Sequence, residues 1–397
     1  MPISFEEARD RILSEAAPLE TEQVPLLDAA GRILAEDFHA SWDLPQWDNS
    51  AMDGFAIRAA EAVAGSEFQV GGYIPAGGTE LPEVVPGTAV RIMTGAAIPP
   101  GGEVVVPVEE TEDQGERMKL LKSQEPGAHI RFHGEDVRAG ELVLPAGTLV
   151  RPAEISLLAT FNCSQVRVYR HPRVAILSTG DELVDIGTAP GPGQIVNSNS
   201  YALAAAVKAA GGEPILLGIA RDNLESHREK LAEGLKADVL VTSAGVSAGD
   251  RDLVRDVLAE LGVEQKFWKI AIKPGRPTAF GVKGKTLILS LPGNPVSSMI
   301  TFEMFVRPAL RKMQGVTPVV PQLRKAVLEE GLKKKIDRTQ FLRVAVRQDG
   351  ERLVVSSSGD QNTGILSTMI RANGIVILPA EKANFAAGDE VEVLLID

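Results

Sequence analysis

The sequence predicts a multidomain chain of class α/β plus β, with a central parallel α/β sheet domain, a β-rich insertion and a C-terminal small β-barrel. Three observations predict it. The 397 residues exceed one ordinary domain. Between Pro172 and Gly315, short apolar runs alternate with helical patterns, as in a parallel sheet covered by helices. Before and after that stretch, short apolar runs are punctuated by Gly and Pro, which predicts strands joined by turns.

Four regions follow: residues 1–44 with 140–171 as an N-terminal linking domain, 45–139 as the β-rich domain, 172–317 as the α/β domain, and 318–397 as the barrel. In the first, Phe5, Ala8, Ile12 and Leu13 recur at helical spacing, with Ser4 as a cap and Glu7 at the matching acidic position. In the second, Gly71-Gly72, Gly77-Gly78, Pro86-Gly87 and Pro99-Pro100-Gly101-Gly102 break the chain into short strands. The third reads as strand 174–177, helix 201–210, strand 215–219, helix 224–235, strand 239–242, helix 253–261, strands around 267–272 and 286–291, and a helix over 296–313 that Pro308 should kink or interrupt. Gly211-Gly212 ends one helix, and Asp222 or Asn223 can cap the next. The fourth shows strands near 342–346, 353–356, 374–378 and 390–396, which a small barrel would close.

Composition narrows the function classes. Lys and Arg total 41 against 53 Asp and Glu, a formal charge of −12, which argues against general nucleic-acid or anionic-membrane binding. One cysteine, Cys163, supports neither an internal disulfide nor a thiolate metal cage, and with no apolar run of membrane-spanning length it points to a cytoplasmic protein. The five histidines show no zinc spacing, and neither a P-loop nor a G-x-S-x-G elbow is present.

Ligands of open parallel sheets bind beyond the carboxyl ends of the strands. There the chain carries Ser178-Thr179-Gly180-Asp181-Glu182, then Ser243-Ala244-Gly245 continuing to Asp250 and Asp252, then Leu291-Pro292-Gly293-Asn294-Pro295. Small residues let backbone N–H groups approach a phosphate. Gly180, Asp181, Ser243 and Gly245 are therefore candidate substrate contacts. Glu182, Asp222 and Asp252 are candidate ligands of Mg²⁺ or another divalent cation, which takes oxygen donors and bridges substrate phosphates. For Asp222, helix capping is an equal alternative. Strand alternation would place Lys269 and Lys273 on one face, and a Pro-Gly turn would present Arg276, a local anion grip in an acidic chain. The 49–56 and 91–96 segments read as turns by pattern alone.

Taken together, the segments 49–56, 91–96, Gly134-Glu135-Asp136-Val137-Arg138, 178–183, 243–252, 273–277 and 292–297 resemble the MoeA/gephyrin-E family of molybdopterin molybdotransferases, in order and over nearly the whole chain. The resemblance implies an α/β domain like that of molybdopterin adenylyltransferases, a homodimer, and insertion of molybdate into adenylylated molybdopterin with release of AMP, aided by a divalent cation. It places Asp53, Thr94, Glu182 and Asp222 in catalysis, with Asp53, Thr94 and Asp136 facing the site from the β-rich domain of a partner subunit. It assigns Lys269, Lys273 and Arg276 to phosphate or molybdate, Pro292 and Pro295 to the pterin pocket, and Arg343 and Thr363 to contacts from the last domain. A partnership with the molybdopterin adenylyltransferase is a further implication. The chain departs from the family pattern at Phe55 for Tyr, Arg276 for Lys, and Asn362-Thr363 for Gly-Ser. Rival readings are a non-catalytic pterin-binding or protein scaffold of the same fold, the adenylyltransferase itself, and tungstate in place of molybdate.

Overall fold

The computed structural model describes residues 2–245 and 253–396. The chain forms two compact units. One comprises Met1–Ala35, Gly147–Ile155 and Gln165–Asp397, the other Glu36–Ala146 and Ser156–Ser164.

The larger unit contains a six-stranded sheet in the order Glu213–Ala220, Arg173–Thr179, Val239–Ser243, Thr286–Leu291, Ala279–Lys283, Glu264–Phe267. The first four strands are parallel, as their apolar sequences predict. Along Arg173–Thr179, Val174 and Ile176 enter one core while Ala175 and Leu177 enter the other, so side-chain alternation buries both faces. The last two strands correct the all-parallel expectation, since each runs antiparallel to its neighbour. Lys283 pairs directly with Thr286, leaving Gly284 (φ 59°) and Lys285 as the whole connection, and a two-residue loop can join only antiparallel strands. The strand expected around 267–272 is also divided. It ends at Phe267, and Ile272–Lys273 pairs instead with Thr339 and Gln340. Lys269 and Lys273 therefore do not share one strand face.

Helices Ser198–Ala209, Leu224–Gly234 and Leu253–Glu260 follow the parallel strands. The last helical stretch is interrupted as Pro308 predicts. Pro295–Thr301 and Arg307–Met313 are α-helical, and Phe302–Val306 between them takes wider π turns that accommodate the missing proline N–H. At the N-terminus, helix Phe5–Glu15 is capped as read, Ser4 Oγ accepting from the Glu7 N–H at 3.0 Å. Phe5 packs edge-on against Phe305 at 5.7 Å and Phe341 at 5.1 Å, fixing this helix to the α/β layer and to a C-terminal strand.

The C-terminal strands Arg324–Leu328, Thr339–Asp349, Arg352–Ser357, Gly374–Leu378 and Glu390–Leu395 close on one another into a barrel around Val344, Val355, Val376 and Val393. The smaller unit holds a second six-stranded sheet, ordered Val104–Pro107, Gly54–Ile57, Thr88–Ile92, Glu67–Ile74, Arg117–Leu120, Thr111–Asp113. Phe55 lies at its core, 1% exposed.

Candidate active site

The carboxyl ends of three adjacent parallel strands open onto a cavity of about 260 Å³ lined by Ser178, Thr179, Glu182, Asn199, Ser243, Gly293, Asn294 and Pro295, with Leu183, Ile195 and Val196 as an apolar wall. Its shape depends on backbone that few side chains permit. Gly180 has φ 139°, and a Cβ there would lie 2.3 Å from a Glu182 carboxylate oxygen. Ala244 and Gly245 have φ of 77° and 75° in succession, so a residue with a Cβ is held in the left-handed region at the cavity edge.

At the cavity wall, Ser178, Asn197 and Ser200 form a buried cluster. The hydroxyl of Ser178 donates to Asn197 Oδ1 at 2.8 Å, and Asn197 Nδ2 donates to Ser200 Oγ at 3.0 Å. In the cavity wall, Asn199 Nδ2 donates to Ser243 Oγ at 2.8 Å and to the Gly293 carbonyl at 2.7 Å, joining two strand ends. Asn294 stands at a helix start without capping it, and its Nδ2 donates to Thr363 Oγ1 at 3.0 Å. Thr363 thus reaches the cavity rim through Asn294. Sequence reading assigned no role to Asn197, Asn199 or Asn294. The Asn-Ser-Asn-Ser run before the 201–210 helix was the available signal, and the helix in fact begins within it.

Asp222 is placed differently from the expectation. It neither caps a helix, a role taken by Asn223, nor lines the cavity. The Asp222 N–H donates to Asp181 Oδ1 at 3.2 Å, and Asp222 Oδ2 accepts from the Asp181 N–H at 3.4 Å. Arg221 braces the same loop, donating to the Leu183 carbonyl at 3.0 Å. Asp252 and the neighbouring Asp250 lie outside the described residues. Among the described residues, no three acidic, His or Cys side chains form a metal cage.

Lys269, Lys273 and Arg276 are exposed, and none pairs with a carboxylate among the described residues. Strand register places them. Phe267 pairs with Phe280, Ala279 with Ser290, and Ser243 with Leu291, so the connection carrying all three cations emerges at the same sheet edge as the cavity. Pro295 lines the cavity, while Pro292 is buried beside it.

Arg343 corrects the expectation of direct contact. It is fully buried, and its guanidinium donates to Thr368 Oγ1 at 2.9 Å and to the carbonyls of Asp360 at 2.8 Å and Asn362 at 3.3 Å. It therefore shapes the loop that presents Thr363.

In the smaller unit, the two turn segments meet through one carboxylate. Asp53 Oδ1 accepts from both the backbone N–H and the hydroxyl of Thr94, each at 2.7 Å. The Thr94 backbone N–H, followed by its hydroxyl, holds the Asp53 carboxyl below its ordinary range. Asp136 lines a separate open depression with Asn49, Arg131 and Glu135, and neither Asp53 nor Thr94 borders it.

Comparison with known proteins matches three family models in order: the MoeA N-terminal region (domains I and II) over residues 3–162, a probable molybdopterin-binding domain over 175–312, and the MoeA C-terminal region (domain IV) over 325–396. The chain belongs to the MoeA family of molybdopterin molybdenumtransferases. A molybdopterin molybdenumtransferase of Nostoc sp. is 39% identical over 94% of this chain and 88% of its own length, and one of Haemophilus influenzae is 36% identical over 98% of each. The crystal structure of the molybdopterin biosynthesis MoeA protein from Pyrococcus horikoshii OT3 superposes with a TM-score of 0.83 at 32% identity, covering all of both chains. These MoeA relatives match the chain across both units.

Proposed function

We propose that the chain is a molybdopterin molybdenumtransferase that inserts molybdate into adenylylated molybdopterin and releases AMP. The observation that carries this reading is the strand-end cavity, where Glu182 opens onto one pocket while Lys269, Lys273 and Arg276, paired with no carboxylate among the described residues, emerge at the same sheet edge. Such an arrangement suits a substrate with a phosphoanhydride, a metal oxyanion and an accompanying cation.

The reaction breaks the P–O bond between the AMP phosphorus and the pterin phosphate. A water oxygen forms the new bond to the AMP phosphorus, giving AMP, and the pterin phosphate leaves; the two dithiolene sulfurs bond to molybdenum as one molybdate oxygen departs with the two thiol protons as water. The cation cluster stabilises the charge that develops on the leaving phosphate, as preorganised positive groups do in phosphoryl transfer. Among the described residues the donor set around the cavity is oxygen and amide, with the Glu182 carboxylate, which fits Mg²⁺ bound through one or two carboxylates and substrate phosphates rather than by a protein cage. Glu182 would hold it, and it would neutralise phosphate charge there. Asp222 acts through the Asp181 loop. Asp53 and Thr94 contribute from the β-rich domain of a partner subunit, and the working form is a homodimer in the cytoplasm.

The test is AMP release from adenylylated molybdopterin with and without molybdate and Mg²⁺, comparing the wild-type chain with Asp53→Ala and Glu182→Ala. Molybdate-dependent release that the folded variants lose supports the transferase. Tight pterin binding without any release would replace it with the scaffold reading.

A further inference from the structure

The side chain of Asn199 has an unequal set of partners. Its nitrogen is fully used, one N–H on Ser243 Oγ and the other on the Gly293 carbonyl. A carbonyl can only accept, so the orientation of the amide follows from chemistry, with nitrogen toward Gly293 and oxygen away from it. That oxygen has no hydrogen-bond partner among the described residues, although Asn199 lines the cavity. Asn199 therefore offers, at the cavity wall, a rigidly held neutral acceptor with no partner among the described residues.

The opposite character lies on the other wall. Ile195 is 58% exposed and Val196 38%, and with Leu183 they form an apolar surface inside an otherwise polar pocket. A phosphate has no use for such a surface. A flat heteroaromatic ring does, provided that its edge carries N–H groups for the acceptor.

We infer that Asn199 is the residue that selects the ring of the substrate: the pterin lies against Leu183, Ile195 and Val196, and its exocyclic 2-amino group donates to Asn199 Oδ1. The inference rests on the proposed transferase reading and assigns ring recognition to a residue with no phosphate role. It also gives the Ser243 and Gly293 contacts a purpose, because they stop the amide from flipping and presenting donors where an acceptor is needed.

Ring selectivity separates this role from a merely structural one. Lumazine is a pterin whose 2-amino group is replaced by a carbonyl, so it would set acceptor against acceptor. Binding of 6-hydroxymethylpterin and of 6-hydroxymethyllumazine to the full chain is measured by ligand fluorescence for the wild type, Asn199→Ala and Asn199→Asp. The wild type is expected to prefer the pterin by about tenfold, the scale of one hydrogen bond gained against one acceptor left unpaired. Asn199→Ala removes the acceptor and brings the ratio close to one. Asn199→Asp keeps an oxygen acceptor, so it retains the preference even where both ligands bind more weakly through loss of the Gly293 contact. A wild type without preference, a ratio unchanged in Asn199→Ala, or a ratio lost equally in both variants would overturn the inference. AMP release by the wild-type chain is followed in parallel. If release is normal while the ratio fails, ring selection is wrong and the transferase stands; if release is absent, the transferase reading itself has failed.

Discussion

The strand-end cavity and the Asp53–Thr94 corner both bring separated loops together, but they do so in different ways. At the cavity, the loops are joined by several side-chain amides and hydroxyls, part of them buried, with Asn199 spanning two loops and Asn294 reaching a third. At the corner, one exposed carboxylate accepts two hydrogen bonds from one threonine. Shared networks distribute the loss of any single member, whereas a single junction has no substitute. The cavity should therefore tolerate changes in its scaffold and fail at the group that meets the substrate, and the corner should respond in proportion to how many of its two bonds are removed.

The largest expected effect tests the first half of that statement. Among the described residues Glu182 is the one acidic side chain that lines the cavity, and Glu182→Ala should lower kcat/KM for AMP release by about 100-fold, the order seen when one preorganised electrostatic contact is lost. Asp222→Asn should cost clearly less, because it keeps an oxygen for the Asp181 N–H and does not line the cavity. Equal losses in steady-state kinetics would return Asp222 to the substrate-contacting set.

Next comes stability. Arg343→Met leaves the Thr368 hydroxyl and the Asp360 and Asn362 carbonyls without their donor in a buried position, at a cost of about 1–3 kcal/mol. The thermal unfolding midpoint should fall and KM should rise as the Thr363 loop loosens. A variant with unchanged unfolding but abolished turnover would mean that Arg343 contacts substrate directly.

The cation segment gives a third, smaller effect. Lys273→Ala and Arg276→Ala should each raise KM by roughly tenfold at low ionic strength, and by less as salt screens the exposed charges. Arg276→Lys keeps the charge but loses the planar fork, so it reports whether geometry matters at this position. A salt-independent KM for the wild type would argue against an electrostatic role for the segment.

How far the sequence carried the site depended on the kind of signal involved. Short continuous apolar runs at 174–177 and 239–242 located Arg173–Thr179 and Val239–Ser243 closely, because burial on both faces leaves a mark at every position. The antiparallel strand Ala279–Lys283 was missed, since its direction is decided by a two-residue turn at Gly284 and not by its apolar content. Glu182 could be singled out because a carboxylate beside glycines is a local feature. Asn199 could not, as its importance comes from partners 44 and 94 residues away that only the folded sheet brings within hydrogen-bond reach. Arg343 was legible as a notable residue and not as a buried one: its enclosure depends on the 360–368 loop folding over it.

The smallest effect concerns the corner itself and is a matter of proton affinity. Thr94 holds the Asp53 carboxyl below its ordinary value chiefly through the backbone N–H, which Thr94→Val keeps, and secondarily through the hydroxyl, which it removes. The Asp53 titration in Thr94→Val should therefore rise part of the way toward the ordinary value of 3.8, as read by carboxyl NMR. The sign for stability follows. A carboxyl whose folded pKa is depressed contributes stabilisation that is present above the ordinary value and is lost as pH falls through the folded value. With the depression reduced, the variant should have less of this stabilisation to lose, and its protonation should begin at higher pH than in the wild type. An unshifted titration would mean that the backbone N–H alone fixes the corner, and that the threonine hydroxyl is held there for the substrate.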